Sequence, residues 1–104
     1  MKSEKLILNS IQYIFEYIKE FDLNGFKKNR KTYQAVIKEL GIIGSILENS
    51  YLRKTYVELD LFVYLKYKFI FEYYQLDFEN IWFVINNDLL YLKKIIKENL
   101  KEIN

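Results

Sequence analysis

Residues 58–74 read ELDLFVYLKYKFIFEYY, and the interpretation of this stretch decides the fold. Leu59, Leu61, Phe62, Val63, Tyr64, Leu65, Tyr67, Phe69, Ile70, Phe71, Tyr73 and Tyr74 leave it almost no polar face. Periodicity alone fits a buried strand or a buried helix. Length separates the two, because a run of about 17 residues far exceeds the ~5–6 of an average strand. A helix that is apolar all round must be buried on several sides. The spacing therefore predicts a helix over about 58–74, central in a bundle, at an interface between copies, or both.

Helical periodicity continues on either side. Ile7, Ile11, Ile14, Ile18 and Phe21 recur every three or four positions, with Ser3 as a plausible N-cap and Asn24-Gly25 as a plausible stop. Tyr33, Val36, Ile37, Leu40, Ile43, Gly44 and Leu47 form the face of a second helix, ended by Glu48-Asn49-Ser50. Its glycines, Gly41 and Gly44, each cost roughly 1 kcal/mol against Ala, which signals the close approach of another backbone. A fourth helix is expected after Asp77, a good N-cap. Ile81, Ile85, Leu89 (or Asp88), Leu92, Ile96 and Leu100 form its inner stripe, and Lys94, Lys97 and Lys101 an outer one. With no repeat, linker or low-complexity segment, residues 1–104 read as a single all-α domain, an antiparallel four-helix bundle with an extra short helix around Tyr51–Val57.

Composition narrows the chemistry. Of 104 residues 51% are apolar, which favours a packed core over disorder. The net charge of +2 does not by itself argue for nucleic acid or membrane. The chain has no Cys and no His, which excludes thiolate nucleophiles, disulfides, imidazole acid–base chemistry and His or Cys metal ligands. It has no Pro, in keeping with long uninterrupted helices, and its three Gly build no phosphate-binding fingerprint. No cofactor or metal is expected. No stretch approaches the ~20 apolar residues of a membrane span, so the chain reads as soluble and cytoplasmic. Ten Tyr, eight Phe and one Trp are many for so small a domain, and some are expected on an oligomer or partner surface.

Few residues stand out as candidate sites. Lys27, Lys28, Arg30 and Lys31 form the densest positive patch, which reads as a solvated loop or, at a helix end, as a phosphate contact. Carboxylates four apart, such as Glu16 and Glu20, have Lys neighbours at helical spacing and read as surface pairing. Asp88 interrupts an apolar stripe and is expected to be partly buried, satisfied by a Tyr hydroxyl. Lys66 and Tyr73 lie seven apart on the most apolar segment, on one face if it is helical throughout. A Lys there needs its head to escape or to find an acceptor.

Two stretches resemble a known family. Phe26, Thr32, Ala35-Val36-Ile37, Leu40 and Ile42-Ile43-Gly44 resemble the pattern F-x5-T-x2-A-V-I-x2-L-x-I-I-G-E-A. Tyr73-Tyr74, Asp77, Glu79 and Trp82, then Asn87-Asp88-Leu89 and Leu92, resemble Y-F-x-x-D-x-E-x-V-W followed by D-L-P-x-L. These are patterns of the HepT-like proteins, small helical HEPN-domain toxins paired with minimal nucleotidyltransferases. The resemblance spans about Leu6 to Lys97. It implies a homodimer, a nucleotidyltransferase antitoxin as partner and RNA as target. It also implies a ribonuclease motif, R-x4-H-x-Y, whose His carries the proton and whose Arg stabilises the phosphorane.

Over that motif this chain reads Lys66-x4-Phe71-x-Tyr73. Lys66 keeps a charge but lacks the bidentate fork that fits phosphate oxygens. Phe71, in the His place, moves no proton. The family's Glu after Gly44 is Ser45, and its Pro is Leu90. Only Tyr73, which the resemblance implies is the residue the antitoxin modifies with AMP, is retained. The expected reading is a degenerate member that binds a nucleotidyltransferase, a related subunit or RNA. A ribonuclease with a rearranged site and a purely structural oligomer subunit are the alternatives. Tyr73 is expected to serve either as a buried ring with a bonded hydroxyl or as part of a docking surface.

Overall fold

A computed structural model describes the backbone of residues 2–103 and the side chains of residues 3–100. Within that range the chain is helical, as expected, and has no strand. The order is α1 (Lys2–Ile18), α2 (Leu23–Lys28), α3 (Arg30–Glu48), α4 (Leu52–Thr55), a 3-10 turn (Val57–Leu59), α5 (Asp60–Phe71), α6 (Phe78–Asn86) and α7 (Asp88–Ile103). α3 lies between α1 and α5, α7 packs on the other side of α1, and α2 bridges α3 and α6. The extra turn anticipated around Tyr51–Val57 is α4 with the 3-10 turn that follows.

The helices form where apolar spacing and caps coincide. The α1 stripe of Ile7, Ile11, Ile14 and Ile18 is buried against Val36, Leu40, Ile43 and Leu47 of α3 and Leu89, Leu92 and Ile96 of α7 in one core. Two boundaries of α1 differ from expectation. Ser3 lies inside the helix, which already includes Lys2, so it is not the cap. Asn24-Gly25 starts a helix instead of ending one, because the Asp22 carboxylate accepts from the Gly25 backbone N–H at 2.8 Å and caps α2. Asn29 caps α3 in the same way, accepting from Thr32 N at 3.0 Å.

The remaining segments are more broken than the pattern suggests. α5 stops at Phe71, short of Tyr74; Glu72 leaves helical geometry, and Asp77 accepts from Asn80 N at 3.0 Å to begin α6. The helix is also not buried on all sides of the chain: Phe62, Val63 and Leu65 point inward, whereas Tyr64, Tyr67, Ile70 and Phe71 are exposed. The expected fourth helix is two helices broken at Asn87. There the side-chain amides of Asn86 and Asn87 donate to the carbonyls of Trp82 and Phe83, competing with continuation of the helix. The buried stripe still runs across the break, through Ile85, Leu89 and Leu92. Leu89, not Asp88, belongs to it. Asp88 is half-buried in the first turn of α7, but the Tyr hydroxyl bonds run to Glu48, Glu58 and Asn99 instead. The side chain of Lys101 lies outside the described residues.

Gly44 and Gly41 separate on close approach. A Cβ on Gly44 would collide with the Phe62 carbonyl oxygen and lie 2.8 Å from Lys66 Cβ, so this Gly sets the distance between α3 and α5. A Cβ on Gly41 would meet nothing within 4 Å, so no backbone approaches there.

Candidate functional site

The close contact at Gly44 places Lys66 of α5 over the last turns of α3. Gly44 and Glu48 are one turn apart on the same face. Once Lys66 packs on Gly44, its ammonium reaches the next position: Nζ lies 2.9 Å from Glu48 Oε1. The Tyr67 hydroxyl donates to the other carboxylate oxygen of Glu48, and Lys66 Nζ sits 4.8 Å from the centre of the Tyr67 ring. Arg53, from α4, donates to the Glu48 backbone carbonyl at 3.3 Å, while its Nε lies 2.6 Å from Asp60 Oδ1. Lys66 is half-buried, and it resolves its predicament by finding an acceptor.

The electrostatics follow from this geometry. The hydrogen bonds from Tyr67, and then from Lys66, hold the Glu48 carboxyl below the usual carboxylate value. The same contact with Glu48 raises both the Lys66 ammonium and the Tyr67 phenol. Every shift moves its group away from neutral pH. A general acid or base is tuned in the opposite sense, toward the pH at which it works. The cluster is chemically a closed ion pair with a phenol cap, and its cation is already spent on a carboxylate.

The other two motif positions do not join the cluster. Phe71 is 71% exposed, with its ring stacked on Tyr67 at 6.4 Å between centroids. Tyr73 lies beyond the end of α5 and is 74% exposed. It therefore does not share a helix face with Lys66, since the helix ends before reaching it. Of the two roles expected for Tyr73, the buried ring is not what the chain provides: among the described residues its ring contact is edge-to-face with its neighbour Tyr74.

The basic patch is split by the Asn29 cap. Lys27 and Lys28 end α2, where cations suit the helix dipole, whereas Arg30 and Lys31 open α3, where they do not. Lys27 pairs with Glu79 at 3.3 Å on the surface. The patch is not part of the Lys66 cluster: Arg30 and Gly44 are separated by about 20 Å of helix at 1.5 Å per residue. Sequence reasoning missed Glu48 and Tyr67 as partners of Lys66. The available signal was Gly44, since a close-approach Gly makes the residue one turn further along the same face a neighbour of whatever approaches. Among the described residues no three or more His, Cys, Asp or Glu gather as metal ligands, and no helix is long and apolar enough to cross a membrane.

Most residues that carry the resemblance have packing roles. Phe26 is fully buried against Trp82, Tyr33 and Phe78; Val36, Leu40 and Ile43 are core; Asp77 is a cap. No family model matches the sequence, and no solved structure matches it. A protein of Methanocaldococcus jannaschii named "Putative RNase MJ0127" is 31% identical over 100 residues, covering 88% of this chain and 83% of the relative.

Proposed function

Because the chain belongs to the RNase-like family of that archaeal protein, we propose that it is a HepT-like HEPN four-helix protein that has kept the fold and lost the cleavage chemistry. Its role is binding. It forms a homodimer and engages a nucleotidyltransferase, a related subunit or RNA that it does not cut. The observation that carries this reading is Phe71 in the place of the motif His, in a chain with no His anywhere. Proton transfer by such a group contributes roughly 10²–10⁴ in rate. Lys66, in the Arg place, is engaged by Glu48 rather than open to a phosphate. The exposure of Tyr73 supports a docking role for that residue over a structural one, since its hydroxyl is accessible to a partner.

Incubation with total RNA and with short defined oligonucleotides tests the proposal. The expected result is no 2′,3′-cyclic phosphate ends above a buffer control. Robust cleavage that disappears in Lys66→Ala would establish a working, rearranged ribonuclease instead.

A further inference from the structure

A second positively charged surface lies away from the motif helix, on α1 and α7. The two helices bound an open groove of about 630 Å³ that includes Lys19, Lys93 and Lys97. Three lysines against the single carboxylate of Glu16 leave the groove as positive as the entire chain, whose net charge is +2. None of the three forms an ion pair among the described residues, whereas Lys27, Lys66 and Arg53 all do. Gln12 donates to Glu16 at 3.3 Å, which draws part of the one opposing charge into a side-chain contact. Along α7 Lys94 adds to the flank beside Lys93 and Lys97, with Glu98 as the one carboxylate there.

We infer that this α1–α7 groove binds single-stranded RNA, with Lys19, Lys93 and Lys97 on its phosphates and Phe15 presenting a surface to its bases. Lys93 and Lys97 are one turn apart on one helix face, so their ammonium groups line the same side of the groove. Opposite them Phe15 is half-buried, its ring partly open to the groove, and the exposed amide of Asn9 offers both a donor and an acceptor. Lysines along a groove with an aromatic ring beside them are the combination that holds a single strand, the charge tracking the backbone and the ring meeting a base face. A duplex hides its base faces and gains nothing from Phe15. An acidic peptide would use the lysines but not the ring.

The inference deepens the RNA-binding part of the reading above and rests on it. Fluorescence anisotropy with a labelled oligouridylate tests it. Three phosphate contacts predict a log–log salt slope of about −2 for a single strand. The exposed pair Lys19→Glu with Lys97→Glu, checked for helicity, is expected to weaken binding on the order of tenfold or more. Lys97→Gln alone is expected to lower the slope by about 0.7. Lys28→Glu with Lys31→Glu, at the α2–α3 junction, is expected to leave affinity unchanged. Binding that survives the groove reversal but is lost in the junction variant overturns the groove and leaves the loss of cleavage untouched. Polyglutamate competing as well as RNA, or no binding by the wild-type protein at low salt, overturns the inference as well. Failure of the degenerate-site reading is seen separately, as cut RNA.

Discussion

Two aromatic groups in this molecule have opposite fates. Around Phe26 the rings of Tyr33, Phe78 and Trp82 converge, at centroid distances of 6.4, 6.2 and 5.1 Å, and Phe26 itself is fully buried. Along α5 and just beyond it, Tyr64, Tyr67, Phe71, Tyr73 and Tyr74 are exposed and touch mainly each other or a lysine. The inner group has two Phe, one Tyr and one Trp and the outer group four Tyr and one Phe, but Phe and Tyr occur in both, so ring type alone does not decide burial. The number of elements that arrive does. α2, α3 and α6 meet at Phe26 and surround it, whereas α5 packs mainly on α3 and keeps Tyr64, Tyr67, Ile70 and Phe71 exposed on its outer side. Composition thus measures how much aromatic surface must be covered, and topology decides what covers it. An apolar face left open on a small domain is the mark of an interface.

Substitutions can break or sharpen this contrast. Phe26→Ala is expected to have the largest effect, a loss of about 3–5 kcal/mol by urea unfolding, as for other large aromatics removed from a core. Phe71→Ala, titrated at a protein concentration low enough to keep the chain a single copy, is expected to stay within about ±0.5 kcal/mol. Comparable losses at the two positions would erase the distinction between the groups. The helix pair that carries the open face gives a smaller effect. Gly44→Ala forces α3 and α5 apart and is expected to cost about 1–3 kcal/mol, read from thermal melts. Gly41→Ala, with open space around its Cβ, is expected to stabilise by up to about 1 kcal/mol. Two glycines of one helix with opposite signs would fix the close approach to one of them.

Much of this arrangement is legible in the sequence, and the limits have physical causes. The α1 stripe, the span of α3 and the Asp77 cap follow from local spacing and capping chemistry, which need no knowledge of neighbours. The break at Asn87 is hidden because the apolar register is kept across it: Ile85 and Leu89 are four apart whether or not the helix is continuous. The end of α5 is hidden because an apolar run does not say where its core runs out. At the candidate site, Lys66 and Tyr73 stand out as polar groups in an apolar run and the resemblance sets them in a motif, but the Glu48 contact depends on the register between α3 and α5. The resemblance itself rests on packing and capping residues, so it bears on how the helices pack more than on chemistry.

The proposed homodimer places a second copy of this chain over the outward aromatic face of α5. Light scattering on the purified protein tests it most directly. The account predicts a two-copy particle at tens of micromolar, and a one-copy particle with unchanged helicity once Tyr64→Glu and Phe71→Glu put charge on that face. A wild-type protein that is already a single copy at that concentration would contradict it.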